Sequence, residues 1–231
     1  ELEEAAIMDG ASLFGVFWQI MLPLSKSGLL TVTVFNFLGV WNEFTWADYR
    51  DRVEEIALGL IELGVRRGEV VGIIGKNRPE MVWSEIAAHS IGCMSLGIYH
   101  DAMPQEVAYL IDYAEVRVVL AEDEEQVDKL LEVAGSAKSI RKIVHFDSRG
   151  MRKYDDERLL GWDALKVMGA RLGSHDPGRF AEEVERGSGT DVAILCTTSG
   201  TTSHPKMAML QAGPFLGHCA AYLRADPKLP T

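Results

Sequence analysis

The sequence has few cysteines and few basic residues for its length. Its 231 residues include three cysteines, Cys93, Cys196 and Cys219, and no two of them form a CxxC pair. This spacing excludes a disulfide scaffold and a zinc ribbon, and it fits a reducing compartment. Lysine and arginine total 23 against 34 acidic residues, so the formal net charge is -11. Because phosphate backbones attract a basic surface, we expect no nucleic-acid partner.

Several nucleotide-binding and membrane signatures are also missing. The chain has no Walker A string, which would read GxxxxGKS or GxxxxGKT, and no GxGxxG. The longest apolar run, residues 29–41, is shorter than the roughly 20 residues that a membrane helix needs. Its periodicity fits a buried strand, a core helix or the beginning of a membrane span, and the sequence leaves these three alternatives open.

From Thr45 onward, amphipathic helical patterns alternate with short β-branched runs. Helices are predicted from Thr45 to Gly64 and over residues 79–91, 104–113, 124–134 and 179–186; buried strands are predicted over 70–75, 94–99, 117–122, 142–146 and 191–198. Such alternation predicts an α/β fold, a partial parallel sheet with flanking helices. Glu122 to Glu125 read as the solvated start of a helix, and residues 149–189 are polar and punctuated by glycine, with the one helix near 179–186.

A candidate phosphate-binding loop lies at the end of the last predicted strand. Residues 197–206, TTSGTTSHPK, place six hydroxyl side chains and a glycine before a lysine. Hydroxyls and exposed backbone N–H groups suit a phosphate chain, and Lys206 adds a point charge on a flexible stem. A Ser/Thr-rich surface turn is the alternative interpretation.

The order of residues 195–206, LCTTSGTTSHPK, meets every constrained position of the AMP-binding signature of acyl-adenylate-forming enzymes. With its upstream flank, residues 45–231 resemble the N-terminal part of bacterial long-chain acyl-CoA synthetases. The resemblance implies ATP-dependent adenylation of a fatty acid followed by transfer to coenzyme A, with Mg²⁺ on the ATP phosphates. It also implies a set of phosphate-binding residues: Thr198, Ser199, Gly200, Thr201, Thr202, Ser203 and Lys206.

The family's later motifs bind adenine, Mg²⁺ and ribose and supply a second lysine, and these 231 residues do not contain them. Because adenylation depends on positioning and charge stabilisation by several groups at once, the sequence predicts no ligase activity for this chain alone. Formation of acyl-CoA from ATP, CoA and oleate by the pure protein would contradict that expectation. No catalytic residue and no metal-ligating residue of the protein is assigned.

The first 44 residues resemble a different family. EAAIMDGASLFGVFWQIMLP fits the cytoplasmic coupling loop, or EAA loop, of carbohydrate ABC-transporter permeases. The resemblance implies contact with an ABC ATPase subunit through Glu4, Ala5, Ala6 and Gly10, in a short, mainly helical segment. We expect a cytoplasmic protein. The apolar run Leu29–Trp41 would provide any membrane association.

The two resemblances meet within WNEFTW, residues 41–46, which fits both families. We expect a permease fragment over residues 1–44 and an AMP-binding portion over residues 45–231. Three interpretations stay open: a fragment of a long-chain fatty acid–CoA ligase, a permease fragment, and a chimeric, inert product. A natural fusion is the alternative to a chimera. Acyl-chain specificity and oligomeric state are not encoded in these patterns.

Overall fold

The computed structural model describes residues 46–135, 139–198 and 206–225. The strands in these ranges are β1 (Val70–Gly75), β2 (Met94–Tyr99), β3 (Val118–Ala121), β4 (Lys142–His145), β5 (Leu159–Gly161), β6 (Val192–Thr198) and β7 (Lys206–Gln211). The α-helices are α1 (Trp46–Glu62), α2 (Pro79–Ser90), α3 (Pro104–Tyr113), α4 (Glu124–Val133), α5 (Trp162–His175), α6 (Arg179–Glu185) and α7 (Ala212–Ala225); Met151–Lys153 form a 3₁₀ turn.

The described strands form one sheet in the order β5-β4-β3-β1-β2-β6-β7. Strands β1 to β6 pair in parallel, whereas β7 pairs antiparallel with β6. The predicted α/β fold with a parallel sheet is confirmed, and the antiparallel strand β7 is an addition to it.

Helices cover both faces of the sheet because the buried strands are apolar on both sides. On one face, α1, α2, α5 and α6 pack on alternate strand residues such as Val71 and Leu120. On the other face, α3 and α4 pack on the intervening residues, among them Ile74 and Val119. The result is a helix–sheet–helix layering with two hydrophobic cores.

Two glycines end helices at the positions that the sequence pattern requires. After α1, Gly64 has φ +82°, and the N–H of Val65 donates to the carbonyl of Leu60 at 3.1 Å. After α2, Gly92 has φ +70°, and the N–H of Cys93 donates to the carbonyl of Ala88 at 2.9 Å. Both ends are Schellman motifs, in which a left-handed residue closes the last turn. The predicted stop at Gly64 is therefore confirmed.

Two expectations about the later part of the chain need correction. Residues 149–189, for which the sequence predicts one helix near 179–186, also contain β5 and the 14-residue helix α5. Strand β6 forms where predicted but is not a buried strand, since Leu195 alone is buried and Cys196 is exposed. Its neighbour β7 covers one edge, while little of the described chain covers its faces.

The permease-like segment, residues 1–44, lies outside the described residues, as does the predicted helix start at Thr45. The expectations for Glu4, Ala5, Ala6, Gly10 and Leu29–Trp41 therefore remain predictions. Within the described ranges, none of the helices combines the length and the apolar character needed to cross a bilayer.

Helices α1 and α5 approach each other closely enough for their backbones to touch. A Cβ added at Gly169 would overlap the carbonyl oxygen of Glu55, and one added at Gly59 would lie 2.5 Å from the carbonyl oxygen of Leu165. Both obstacles are backbone atoms, which a rotamer change cannot move. The crossing therefore requires glycine at these two positions.

Gly169→Ala should lower the free energy of unfolding by about 2–4 kcal/mol, because the added methyl forces the two helices apart. Gly173→Ala is the matched control on the same helix, since its Cβ would meet only the Cδ1 atom of Leu58, at 3.1 Å. The control should stay within about 1 kcal/mol of the wild type. Urea denaturation measures both values, and equal stabilities would show that the helices do not cross as described.

Candidate functional site

The carboxyl ends of the parallel strands collect polar side chains at one edge of the sheet. Lys76 follows β1, Glu122 follows β3, Asp147 lies two residues beyond β4, and Thr198 ends β6. Because β7 is antiparallel, its first residue, Lys206, lies at the same edge. In open α/β sheets, this is the edge at which ligands bind.

The hairpin of β6 and β7 positions the two ends of the predicted phosphate loop. Thr198 and Lys206 are directly opposed in the ladder, and the Thr198 hydroxyl donates to the Lys206 carbonyl at 3.2 Å. Both residues are exposed, and the Lys206 ammonium forms no ion pair within the described part of the chain. The loop residues Ser199, Gly200, Thr201, Thr202 and Ser203 lie outside the described residues.

A buried carboxylate fills the crevice between β1 and β3. The connections after these two strands run to opposite faces of the sheet, which makes this gap the topological switch point. Glu122 Oε2 accepts the backbone N–H of Lys76 at 2.6 Å, and its Oε1 accepts from Arg78 at 3.3 Å. Its side chain is 9 % exposed, so the expectation of a solvated helix start is wrong for Glu122.

Sequence reasoning misses Glu122 because its neighbours Asp123 to Glu125 do behave as a helix start, with Asp123 accepting the N–H of Gln126. A sequence signal for this role is the position of Glu122 directly after a buried strand, because side chains at that position face the crevice at the carboxyl edge of the sheet. The crevice is therefore closed by the chain itself, which leaves the β6–β7 hairpin as the candidate binding edge.

An exposed ion pair follows β4. The Arg149 guanidinium donates to Asp147 at 2.7 Å and the Arg149 backbone N–H donates at 2.9 Å. These hydrogen bonds lower the pKa of Asp147 to about 2. Asp147 is therefore an anion throughout the neutral range, and Arg149 is occupied by it.

The described edge offers cationic and hydroxyl donors suited to phosphate: the ammonium of Lys206, the hydroxyl of Thr198 and the exposed ammonium of Lys76. A metal ion has no such preformed site, because the described residues contain no cluster of three His, Cys, Asp or Glu side chains. The donor set fits a phosphate chain that brings its own cation.

A second polar cluster joins α2 to β2. Ser95 Oγ lies 3.0 Å from His89 Nε2 and donates to Glu85 Oε1 at 3.1 Å. A nucleophile–base interpretation fails because Ser95 is 1 % exposed and no substrate reaches it. Since the serine proton goes to Glu85, the contact with Ser95 has His89 donating from Nε2. The cluster therefore has a structural role.

Comparison with known proteins gives the family. The chain belongs to the AMP-binding enzyme family, whose model matches residues 29–229. It is 30 % identical over 172 residues to the long-chain-fatty-acid–CoA ligase FadD15 of Mycobacterium bovis, covering 74 % of this chain and 27 % of that protein. It is also 30 % identical over 171 residues to human long-chain-fatty-acid–CoA ligase ACSBG2, covering 74 % and 25 %. The chain thus spans about a quarter of the length of these relatives.

Solved structures share the fold. The anthranilate CoA ligase AuaEII superposes with a TM-score of 0.59 at 20 % identity, over 75 % of this chain and 31 % of that one. Acetoacetyl-CoA synthetase of Streptomyces lividans gives 0.60 at 20 % identity, over 75 % and 26 %. The mixed α/β sheet is therefore that of adenylate-forming enzymes.

A second family model matches the start of the chain. Residues 1–50 match the binding-protein-dependent transport system inner membrane component. The two matches overlap over residues 29–50, and this overlap contains the predicted boundary between residues 44 and 45.

The half-buried side chain of His89 gives the fold a pH dependence. Burial lowers the pKa of His89, an effect that Glu85 only partly offsets. The unfolded chain therefore binds a proton more readily, and stability present above about pH 6.5 is lost as the pH falls below it. The free energy of unfolding should fall between about pH 7.5 and pH 5.5, and it should fall less in His89→Gln.

His175→Gln is the control, since His175 is exposed at the end of α5 and bonds the Arg171 carbonyl of its own helix. It should keep the wild-type pH slope in urea denaturation. If His89→Gln had the same slope as the wild type, His89 would not be the responsible group.

Proposed function

We propose that residues 45–231 are the N-terminal portion of an ATP-dependent long-chain fatty acid–CoA ligase, and that the segment from Thr198 to Lys206 holds ATP phosphates. The observation that carries the proposal is the hairpin, which sets Thr198 and Lys206 opposite each other at the ligand-binding edge. The family match and the ligase relatives support the same assignment.

In the complete enzyme, the proposed reaction has two steps. A fatty carboxylate attacks the α-phosphorus of ATP, which forms an acyl-adenylate and releases pyrophosphate. The thiol of coenzyme A then displaces AMP and gives the thioester. The segment from Thr198 to Lys206, with Ser199, Gly200, Thr201, Thr202 and Ser203 between them, is assigned to the β- and γ-phosphates, together with Mg²⁺.

The contribution of Lys206 is electrostatic. Its ammonium is exposed and pairs with none of the described carboxylates, so it can approach phosphate oxygens without first breaking such a pair. The antiparallel pairing with Thr198 fixes the direction from which its stem leaves the sheet. A charge-assisted contact of this kind contributes about 1.5–3 kcal/mol to binding.

Millimolar ATP–Mg²⁺ should raise the melting temperature of the wild-type chain by a few degrees, because a ligand that binds the folded state stabilises it by mass action. Lys206→Ala should remove most of this shift. Lys166→Ala is the matched control, since Lys166 lies on α5 and pairs with Asp163 at 2.9 Å. An equal ATP shift in Lys206→Ala and in the wild type would refute the assignment.

A second candidate function concerns residues 1–44. The transport-component match over residues 1–50 supports the proposal that Glu4, Ala5, Ala6 and Gly10 form a coupling loop that contacts an ABC ATPase subunit. This division of the chain, with Leu29–Trp41 as its membrane-associating part, belongs to the proposal.

A coupling loop predicts a physical complex. The chain should co-purify with a co-expressed ABC ATPase subunit, and Gly10→Glu should abolish the association, since a charged side chain would replace the smallest residue at the contact. Gly217→Glu is the control, because Gly217 lies on α7 and a Cβ added there would meet no atom within 4 Å. Retention of the subunit by Gly10→Glu would contradict this function.

A further inference from the structure

Four arginines surround a cavity at the edge of the sheet opposite the ends of the β6–β7 hairpin that carry Thr198 and Lys206. The cavity, of about 360 Å³, is lined by Arg66, Arg67, Arg179 and Arg186, and Glu183 is the carboxylate among them. Arg66 and Arg67 precede β1, so the cavity lies at the amino ends of the strands. Its volume is within the range of small-ligand pockets.

The Glu183 carboxylate lies within ion-pair distance of three guanidinium groups, those of Arg67, Arg179 and Arg186. Its Oε1 accepts from Arg179 at 2.8 Å and from Arg186 at 3.0 Å, and its Oε2 lies 3.7 Å from Arg67 Nη2. The Glu183 side chain is 7 % exposed, whereas those of Arg179 and Arg186 are 37 % and 60 % exposed, so a buried carboxylate lies beneath guanidinium groups that solvent reaches. Three cations on one carboxylate leave an excess of positive charge.

Arg67 is fixed in position before any ligand arrives. Its Nη1 donates to Asp191 at 2.9 Å and its Nη2 donates to the Glu183 carbonyl at 2.8 Å. Its guanidinium also passes over Gly92, where any Cβ would overlap it. A preplaced guanidinium loses little conformational entropy when it binds an anion.

Donors in the cavity exceed the acceptors available to them. Each guanidinium carries five N–H groups, whereas a carboxylate offers about four acceptor sites. Arg67 Nε is buried and has no acceptor in the described structure, and the Arg66 side chain forms no ion pair with a described residue. The cavity lining carries four arginines and one carboxylate, Glu183. Asp191 pairs with Arg67 from outside the lining and Glu69 accepts the backbone N–H of Arg66, so four arginines still outnumber three carboxylates here, in a chain whose net charge is -11.

We propose that this arginine cavity binds a phosphate group, either as free inorganic phosphate or as part of a small phosphomonoester. The planar fork of arginine matches phosphate oxygens in a bidentate manner, and several forks around one cavity match a tetrahedral anion. The site is separate from the proposed ATP loop. Asp191 and Thr198 lie at opposite ends of β6, about 23 Å apart at about 3.3 Å per residue.

The test is calorimetric titration of the full 231-residue chain with inorganic phosphate, at an ionic strength balanced with chloride. The wild type should show saturable binding at one site. The double variant Arg66→Gln/Arg186→Gln should bind at least about tenfold more weakly, since two charge-assisted contacts are lost. Arg171→Gln, which removes the same kind of charge from an exposed position on α5, should bind like the wild type.

Circular dichroism checks that the double variant folds. If it does not, Arg66→Gln alone is decisive, because Arg66 is exposed and its side chain holds no described ion pair, and Arg66→Lys should partly restore binding. Loss of the saturable phosphate binding in Lys206→Ala would place the ion at the ATP loop and would overturn the proposal. Tighter binding of ribose 5-phosphate than of inorganic phosphate identifies an ester as the ligand, and equal binding identifies free phosphate.

Absence of saturable binding in the wild type would overturn the proposal. So would wild-type affinity in the Arg66→Gln variant, or an equal loss in Arg171→Gln, which would indicate general charge attraction. None of these outcomes depends on whether Lys206 binds ATP.

Discussion

The ion pair between Arg67 and Asp191 holds the hairpin strand against the rest of the sheet. Strand β6 pairs with β2 through two residue pairs, Ser95 with Ile194 and Leu96 with Leu195. So short a ladder supplies few hydrogen bonds, and the 2.9 Å contact from Arg67 fixes the residue directly before the strand begins. The side chains of Arg67 and Asp191 are 26 % and 35 % exposed, so the pair is partly open to solvent. The parallel pairing with β2 sets the direction in which β6 runs, and this contact fixes the point from which the strand extends toward Thr198.

The carboxyl end of β6, at Thr198, is packed against few buried apolar side chains. Leu195 is its one buried residue, and Met209 on the partner strand is 68 % exposed. A region that buries few apolar side chains is among the first to open in the native state. The proposed ligand binding at the hairpin would act on a sparsely buried part of the described sheet, where a phosphate chain bridging Thr198 and Lys206 would stabilise the ladder directly. Binding at this edge should thus be visible as increased stability of the whole fold.

The parts of the fold predicted from sequence are those that are encoded locally. Strands β1 and β3 read as apolar runs because both their faces are buried, and α2 and α3 open with proline at the first turn. Helix α5 escapes prediction because Gly169 and Gly173 interrupt its helical pattern, although Gly169 is there for the close approach to α1. The phosphate loop is indicated by one ordered string, whereas the roles of Glu122 and Arg67 depend on partners 44 or more residues away in the chain. No local pattern contains that information.

Strand β6 connects the edge of the sheet that carries the arginine cavity to the edge that carries the hairpin ends, since Asp191 precedes it and Thr198 ends it. The Arg67 guanidinium lies against two carboxylates. One belongs to Asp191, which anchors β6, and the other to Glu183, which also contacts Arg179 and Arg186. Three cations around one carboxylate repel one another, and an anion among them would reduce that repulsion without displacing Asp191, which lies outside the cavity lining. Occupation of the arginine cavity would then stabilise the anchor from which the hairpin extends.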